Sequence, residues 1–422
     1  MSNHRPRALI FSTAYFPHVG GAEVAIKEIT DRLPSWEFDL VTARLERRLP
    51  LRERVGNVTV YRVGFGSPLD KALLPILGTL KVFGLLLRNR YGLFWAMMVT
   101  FASGIPYIVN ILRRLLFFRP LPVVLTLQEG DSEEHIAHKE FGLAGRLWRI
   151  LMMPFIAGLP KQMRSLGLIG VSWSLALRRT ACVTAISTYL SEQARRYGYA
   201  GPIETIPNGV AVELFSSPPD VDALSELRSK LAISLDDKVL VTTSRLVLKN
   251  GIDAVIRALP LLPPDVKFVI VGTGELEAKL HQLAEELKVT DRVRFVGAVG
   301  HAAIPQYLAL ANIFVRLSRS EGMGNSFIEA MAARVPVIGT PVGGIPDFLH
   351  DHATGWVCPV DDSESLARTV REILDPVNMV SVGQVINQAE ALARGYDWES
   401  IAQKMEKVFL RASSNQVHGK QE

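Results

Sequence analysis

Cysteine is nearly missing from this chain: Cys182 and Cys358 are the only two in 422 residues. So few, so far apart, exclude a disulfide framework and a cysteine-rich zinc site, and they fit a reducing compartment. Charge is moderate at 21%, against 48% hydrophobic and 8% aromatic residues. That balance excludes a disordered, collagen-like or coiled-coil chain, and the length favours two domains. The N-terminus, MSNHRPRALIFSTAYF, has no secretory pattern, because its apolar stretch is short and no small-residue cleavage site follows. One run lacks charge altogether, the 22 residues YGLFWAMMVTFASGIPYIVNIL between Arg90 and Arg113. It is long enough to cross a bilayer. Ser103, Gly104 and Pro106 interrupt it, however, and arginines flank both ends. The run therefore reads as a buried strand, Tyr91–Met98, followed by a helix, Ala102–Leu116.

What is present is an asymmetry of charge. Residues 1–206 hold 26 Lys+Arg against 15 Asp+Glu, and residues 207–422 hold 21 against 27, so a net of +11 is joined to a net of −6. The basic half is expected to meet something anionic, a membrane surface or nucleic acid.

Short apolar runs alternate with helical periodicity, which predicts parallel sheets covered by helices. The first series of strands is expected near 8–16, 38–43, 58–64, 91–98, 122–128, 182–187 and 203–208. A second series starts afresh near 239–244, 266–272, 293–297, 313–318, 335–340 and 355–359. The fold expected is α/β, two Rossmann-like doubly wound domains facing each other across an interdomain cleft. The boundaries expected are 1–207 and 208–397, with a final helix over 398–411 packing back on the first domain and a flexible tail at 412–422. Open parallel sheets bind ligands outside the carboxyl ends of their strands, so the informative residues should follow strands.

They do. After the first strand, Gly20 and Gly21 open a helix, letting backbone N–H groups approach an anion; the same glycines also suit a turn needed only for packing. After the first strand of the second series comes Ser244-Arg245-Leu246-Val247-Leu248-Lys249-Asn250-Gly251, where Arg245 can fork onto phosphate oxygens and Lys249 adds a mobile charge. Gly272 opens the next turn, in Gly272-Thr273-Gly274. The densest stretch is Ser318-Arg319-Ser320-Glu321-Gly322-Met323-Gly324-Asn325-Ser326-Phe327-Ile328-Glu329. Here Asn325 or Ser326 is expected to cap a helix, with Glu329 in its first turn and a row of exposed N–H donors between two carboxylates. Such a site suits a ligand carrying both hydroxyls and phosphates. The alternative is a capping box and a favourable helix dipole.

The spacing Glu321–x7–Glu329 within SEGMGNSFIEAMA resembles the signature of the retaining family-4 glycosyltransferases, which have the two-Rossmann GT-B architecture. GGAE, SRLVLKNG, VGTGELEAKL, TAIS, IPNGV and TPVGGIPDFL are similar to that family's motifs in the same order, from about Leu9 to Trp398. The resemblance implies transfer of a sugar from a nucleotide-sugar to a saccharide or lipid-linked acceptor with retention at the anomeric carbon. It implies that the first domain binds acceptor and the second donor. Glu329 would hold ribose hydroxyls. Glu321 would meet the donor sugar beside the N–H groups of Gly322, Met323, Gly324, Asn325 and Ser326. Arg245 and Lys249 would neutralise the leaving diphosphate, closed over by Gly20 and Gly21, with Gly272 at the donor as well. No cofactor and no metal is implied.

Three positions depart from the family. Asn250 stands where a lysine often precedes the glycine, and the lysine is Lys249. Gln128-Glu129-Gly130-Asp131 stands where many members have a histidine; Gln128 can hydrogen-bond a hydroxyl but cannot take a proton, and Glu129 and Asp131 suit either a contact to acceptor or sugar or an acidic surface loop. Met323 replaces a frequent phenylalanine. His135 and His138 form an HxxH without an evident third ligand.

Basic residues sit among apolar ones over 71–90 and again over 143–179, a pattern suited to an anionic leaflet or to core helices with solvated edges. With no RNA-binding signature, nucleic acid is not expected as a partner. The location expected is cytoplasmic, peripheral on the inner membrane face, in cell-surface polysaccharide or glycolipid synthesis. The rivals are a GT-B nucleotide-sugar epimerase and a non-catalytic nucleotide-sugar-binding subunit.

Overall fold

The computed structural model describes residues 5–128, 180–218 and 220–418. It divides into two compact units, Met1–Asn208 with Trp398–Glu422, and Gly209–Asp397.

The first unit is built on a sheet of β1 (Arg7–Phe11), β2 (Glu37–Ala43), β3 (Arg52–Val55), β4 (Val58–Val63), β5 (Leu93–Met97), β6 (Val123–Leu127), β7 (Cys182–Ala185) and β8 (Ile203–Thr205), in the order β3-β4-β2-β1-β5-β6-β7-β8. All neighbours are parallel except the β3–β4 hairpin. The hairpin's first strand, RERV, is not among the expected elements, because an edge strand with one charged side chain after another carries no apolar run. Helices α1 (Gly21–Asp31), α2 (Asp70–Leu86), α3 (Gly104–Leu115) and α4 (Thr188–Arg196) follow β1, β4, β5 and β7. The uncharged run 91–112 is thus strand β5 and most of α3. Among the described residues no helix is long and apolar enough to cross a membrane.

The second unit carries β9 (Lys238–Thr243), β10 (Val266–Val271), β11 (Val293–Gly297), β12 (Ile313–Val315), β13 (Val337–Gly339) and β14 (Trp356–Val357), in the order β11-β10-β9-β12-β13-β14 and parallel throughout. Its helices are α5 (Val212–Ser216), α6 (Val221–Lys230), α7 (Ile252–Ala258), α8 (Glu277–Glu286), α9 (Ile304–Leu310), α10 (Asn325–Ala332), α11 (Ser363–Leu374) and α12 (Met379–Ala393). Helix α12 is not among the expected elements; Val382, Val385, Ala389 and Ala393 form its buried stripe at helical spacing.

The closing helix, α13 (Trp398–His418), belongs to the first unit. Phe409 is fully buried against Trp36, Phe38 and Trp95, at centroid distances of 5.5, 6.4 and 5.0 Å. Trp36 Nε1 donates to Glu406 Oε1 at 3.0 Å. The helix runs past 411 to His418, so the tail expected from 412 onward is largely helical. Its small polar residues lower apolar content, but neither glycine nor proline interrupts it.

In both sheets the first strand lies inside and the order of strand addition reverses beside it, between β1 and β5 and between β9 and β12. Crevices open at the carboxyl ends of strands at such points.

Candidate active site

In the second unit the site is assembled by loops that touch backbone to backbone. Beyond β9, Leu246 is buried, donating its N–H to Thr273 O and accepting from Leu276 N, both at 3.0 Å. Flanked by these anchors, Arg245 is exposed, and its side chain has no hydrogen bond or ion pair among the described residues. Asn250 is buried and donates Nδ2–H to Arg245 O at 2.7 Å. The asparagine that displaces the family's usual lysine is therefore a brace of the loop, and Lys249 is the half-buried cation beside it. Gly251 then turns left-handed (φ 63°), and a Cβ there would stand 1.8 Å from Leu317 O. Gly272 has φ 142°, with room for no Cβ because Ser244 O would lie 2.0 Å away. Its glycine character thus serves loop-to-loop contact.

The segment beyond β12 lies against this loop. Arg319 N donates to Lys249 O at 2.7 Å, and the Arg319 guanidinium forks onto Asp253 at 2.9 and 2.8 Å while also reaching Leu248 O and Asp361. Two hydrogen-bonded carboxylates, opposed by partial burial, raise its pKa further. The backbone of Glu321 is pinned from β13's side: Gly344 N donates to Glu321 O at 3.2 Å, and a Cβ on Gly343 would stand 1.7 Å from the same oxygen.

Both glutamates have partners. Arg316 Nη2 donates to Glu321 Oε2 at 2.5 Å, and Gly322 N to Glu321 Oε1 at 3.0 Å. Glu329 Oε1 lies 2.9 Å from His301 Nε2, whose ring meets Phe215 edge-on at 5.5 Å. Burial lowers the pKa of Arg316, opposed by the charges of Glu321 and Glu329.

Three local expectations are corrected. The cap of α10 is Gly324, left-handed at φ 98°, so neither Asn325 nor Ser326 caps it. Asn325 Nδ2 donates instead to Gly209 O at 3.3 Å, and Ser326 Oγ accepts from Arg316 Nη1 at 2.9 Å. Glu329 consequently falls in the second turn. The residues Gly322, Met323 and Gly324 are buried, so the row of backbone N–H groups is not openly exposed. The first N–H groups of α10 still lack an intrahelical acceptor and a partial positive charge remains there.

In the first unit, Gly20 caps α1 in extended conformation, and its N–H donates to Glu23 Oε2 at 2.8 Å. Burial raises the pKa of Glu23, with backbone N–H groups opposing. Gly21 has ordinary room for a Cβ, with Asn208 Nδ2 at 4.0 Å. Gln128 Nε2 donates to Asn208 Oδ1 at 2.9 Å, so the glutamine after β6 is held by the asparagine after β8. Glu129, Asp131, His135, His138 and the basic stretch 143–179 lie outside the described residues. Among those described, no group of three His, Cys, Asp or Glu is placed to hold a metal.

Arg316, Arg319, His301 and Asn208 escape the sequence reading. An arginine inside the apolar run IFVRLS was the one available signal, since a buried strand end keeps a charge only with a partner. The second unit thus presents exposed and half-buried cations and two partnered carboxylates on adjoining loops, the equipment for a phosphate-bearing, hydroxyl-rich ligand.

That is the equipment of a glycosyltransferase, and the comparisons with known proteins agree. Residues 225–379 match the glycosyl transferases group 1 model, and residues 19–214 the glycosyltransferase family 4 model. The chain is 32% identical over 302 residues to the GDP-mannose-dependent alpha-(1-6)-phosphatidylinositol monomannoside mannosyltransferase of Mycobacterium tuberculosis, covering 66% of this chain and 77% of that protein. A Corynebacterium glutamicum enzyme named for the monoacylated form of that lipid is 30% identical over 305 residues, covering 67% and 78%. Among solved structures, sucrose-phosphate synthase of Thermosynechococcus elongatus superposes with a TM-score of 0.75 at 20% identity, over 98% of this chain and 100% of that one. Anabaena HepE in complex with UDP and glucose gives 0.73 at 21% identity, over 96% and 100%. The chain belongs to glycosyltransferase family 4, the group 1 glycosyl transferases, and it has the two-domain GT-B fold.

Proposed function

We propose that this glycosyltransferase moves a hexosyl residue, with retention, from a nucleotide-sugar to a lipid-linked acceptor at the cytoplasmic face of a membrane. The observation that carries the reading is the direct backbone contact between the Arg245–Gly251 loop and the Ser318–Glu329 segment at the reversal point of the second sheet. In this reading Glu329 binds ribose hydroxyls, Glu321 binds the donor sugar beside Gly322 to Ser326, and Arg245 with Lys249 holds the diphosphate, with Gly272 shaping the loops around it. In the first unit Gly20 and Gly21 offer backbone N–H groups to an anion, and Gln128, with Glu129 and Asp131, offers polar groups to a sugar or acceptor.

The anomeric C–O bond to phosphate breaks as the acceptor oxygen bonds to the same face of the sugar, and the acceptor's proton passes to the departing phosphate oxygen. Fixed cations and helix ends supply the stabilisation of that leaving group. Because Arg245 and Lys249 carry the compensating charge, the scheme requires neither metal nor cofactor.

Two things support a lipid acceptor. The relatives above are named for phosphatidylinositol mannosides, and we take GDP-mannose as the first donor to test. The first unit also exposes Leu69, Ile76, Leu80 and Leu87 on and around α2, and Leu115, Leu116, Phe117 and Phe118 at the end of α3. Lys71, Lys81, Arg88, Arg90, Arg113, Arg114 and Arg119 stand among them. Apolar and basic groups so mixed suit peripheral docking on an anionic leaflet.

The test is turnover of GDP-mannose, UDP-glucose and UDP-N-acetylglucosamine with phosphatidylinositol vesicles and crude membrane lipid as acceptors. The expected result is release of nucleoside diphosphate and a glycolipid with the donor's anomeric configuration, abolished by Arg245→Ala or Glu329→Ala. An isomeric nucleotide-sugar as product, or binding without turnover, refutes the reading.

A further inference from the structure

We infer that Arg316 is a positioning residue of the donor site: it fixes the Glu321 carboxylate and the start of α10 in the arrangement that meets the donor sugar. The inference rests on the reading of Glu321 given above.

Arg316 follows β12 directly and is 5% exposed. Taking a guanidinium out of water is costly, and the cost is met only when charge and hydrogen bonds are both satisfied. Here they are. Nε donates to Ser318 Oγ at 3.1 Å, Nη1 to Ser326 Oγ at 2.9 Å and Nη2 to Glu321 Oε2 at 2.5 Å, while the guanidinium lies 4.6 Å from the Phe327 ring centroid. Every nitrogen of the fork is directed. All four of these partners lie on the segment that leaves the strand and enters the helix carrying Glu329.

The consequence is a carboxylate with little freedom. Glu321 is held through Oε2 by Arg316 and through Oε1 by the Gly322 N–H. A carboxylate has about four acceptor positions, so two remain for sugar hydroxyls after both bonds are made. The same cation also offsets the charge of Glu329, whose other neighbour is His301. An ammonium reproduces only part of this, because a lysine keeps the charge but lacks the planar fork.

The experiment compares Arg316→Met, Arg316→Lys, Glu321→Gln and the double variant Arg316→Met/Glu321→Gln. It reads kcat and KM for the panel donor that turns over, binding of its free nucleoside diphosphate (GDP or UDP), and thermal unfolding. If Arg316 acts through Glu321, R316M and E321Q each lower kcat/KM by about 10²-fold, with the same division between kcat and KM. The double variant is then no worse than the more damaged single one, and R316K recovers part of the loss. Nucleoside diphosphate, which carries no sugar, binds all four variants within about threefold of the parent, a difference well below one tenfold step. The double variant removes both charges of the pair together, leaving neither unpaired, and so guards against a mere folding failure.

Wild-type turnover in R316M, multiplying losses in the double variant, or a loss of nucleoside diphosphate binding parallel to the loss of turnover would each overturn the inference. If E321Q itself turns over normally, the reading of Glu321 falls and this inference falls with it. If E321Q is crippled while R316M is not, only the inference falls.

Discussion

Gly343→Ala should disable the enzyme without unfolding it. Position 343 is left-handed (φ 57°), and a methyl there would stand 1.7 Å from Glu321 O and 2.8 Å from its carbonyl carbon. Neither atom is a flexible side-chain end. To bring the oxygen contact out to 3.0 Å the two backbone segments must part by about 1.3 Å, and a displacement of roughly 1 Å at a reacting group costs on the order of 10²-fold in rate. The hydrogen bond from Gly344 N to Glu321 O would be stretched in the same motion. Left-handed alanine adds about 1–2 kcal/mol of strain, a modest fraction of a domain's stability. Gly198 is the control, since it has φ 85° and nothing within 4 Å of an added methyl. Gly198→Ala should show similar strain in thermal unfolding and unaltered kcat/KM. Donor turnover in G343A within threefold of the parent, or an equal loss of activity in G198A, would show that the placement of Glu321 by the Gly343–Gly344 turn is irrelevant to the chemistry.

Three further outcomes follow from other parts of the molecule. Phe409→Ala opens a cavity between Trp36, Phe38 and Trp95 and should destabilise the first unit by about 3–5 kcal/mol in denaturant unfolding followed by tryptophan fluorescence; a loss below about 1 kcal/mol would contradict the docking of α13. Burial pushes the Cys182 thiol up to about 11, aided by Glu204 and opposed by Arg411. An acid raised in the folded state stabilises below its ordinary 9.0 and ceases to as pH climbs towards 11, so Cys182→Ala should flatten the fall in stability across that range. For Asp253, burial pushes the carboxyl up, but the Arg319 bonds and charge outweigh it and hold it low. Its contribution is present above the ordinary 3.8 and lost as pH falls, so the stability gap between Arg319→Met and the parent should narrow below about pH 4. A gap independent of pH would separate Arg319 from Asp253.

The sheets were readable because parallel strands covered on both faces are nearly continuous apolar runs, and every strand of that kind in the described residues was expected within a few positions. What escaped had no such run. Strand β3 alternates charge along an edge, and α12 hides its buried stripe of Val382, Val385, Ala389 and Ala393 behind an internal Gly383. The end of α13 was missed for a related reason: small polar residues are neutral towards helix, and what decides is the packing of Phe409 and Ala412 upstream.

The candidate site was readable in its residue types and only partly in its arrangement. Spacing places Glu321 and Glu329 on one segment, but it does not show what compensates them, because Arg316 reaches forward along its own chain and His301 comes from the other side of the sheet's reversal point. This difference changes the chemistry. Two bare carboxylates beside a diphosphate would repel it, and a sequence argument has to assume that hydroxyls outweigh the repulsion. With Arg316 on Glu321 and His301 on Glu329, each acid is already paired with a basic group, so in the reading proposed above a diphosphate at Arg245 and Lys249 would meet less opposition. The loop's own departure from the family fits the same logic. Asn250 gives up a charge but, by holding Arg245 O at 2.7 Å, braces the backbone from which Arg245 extends.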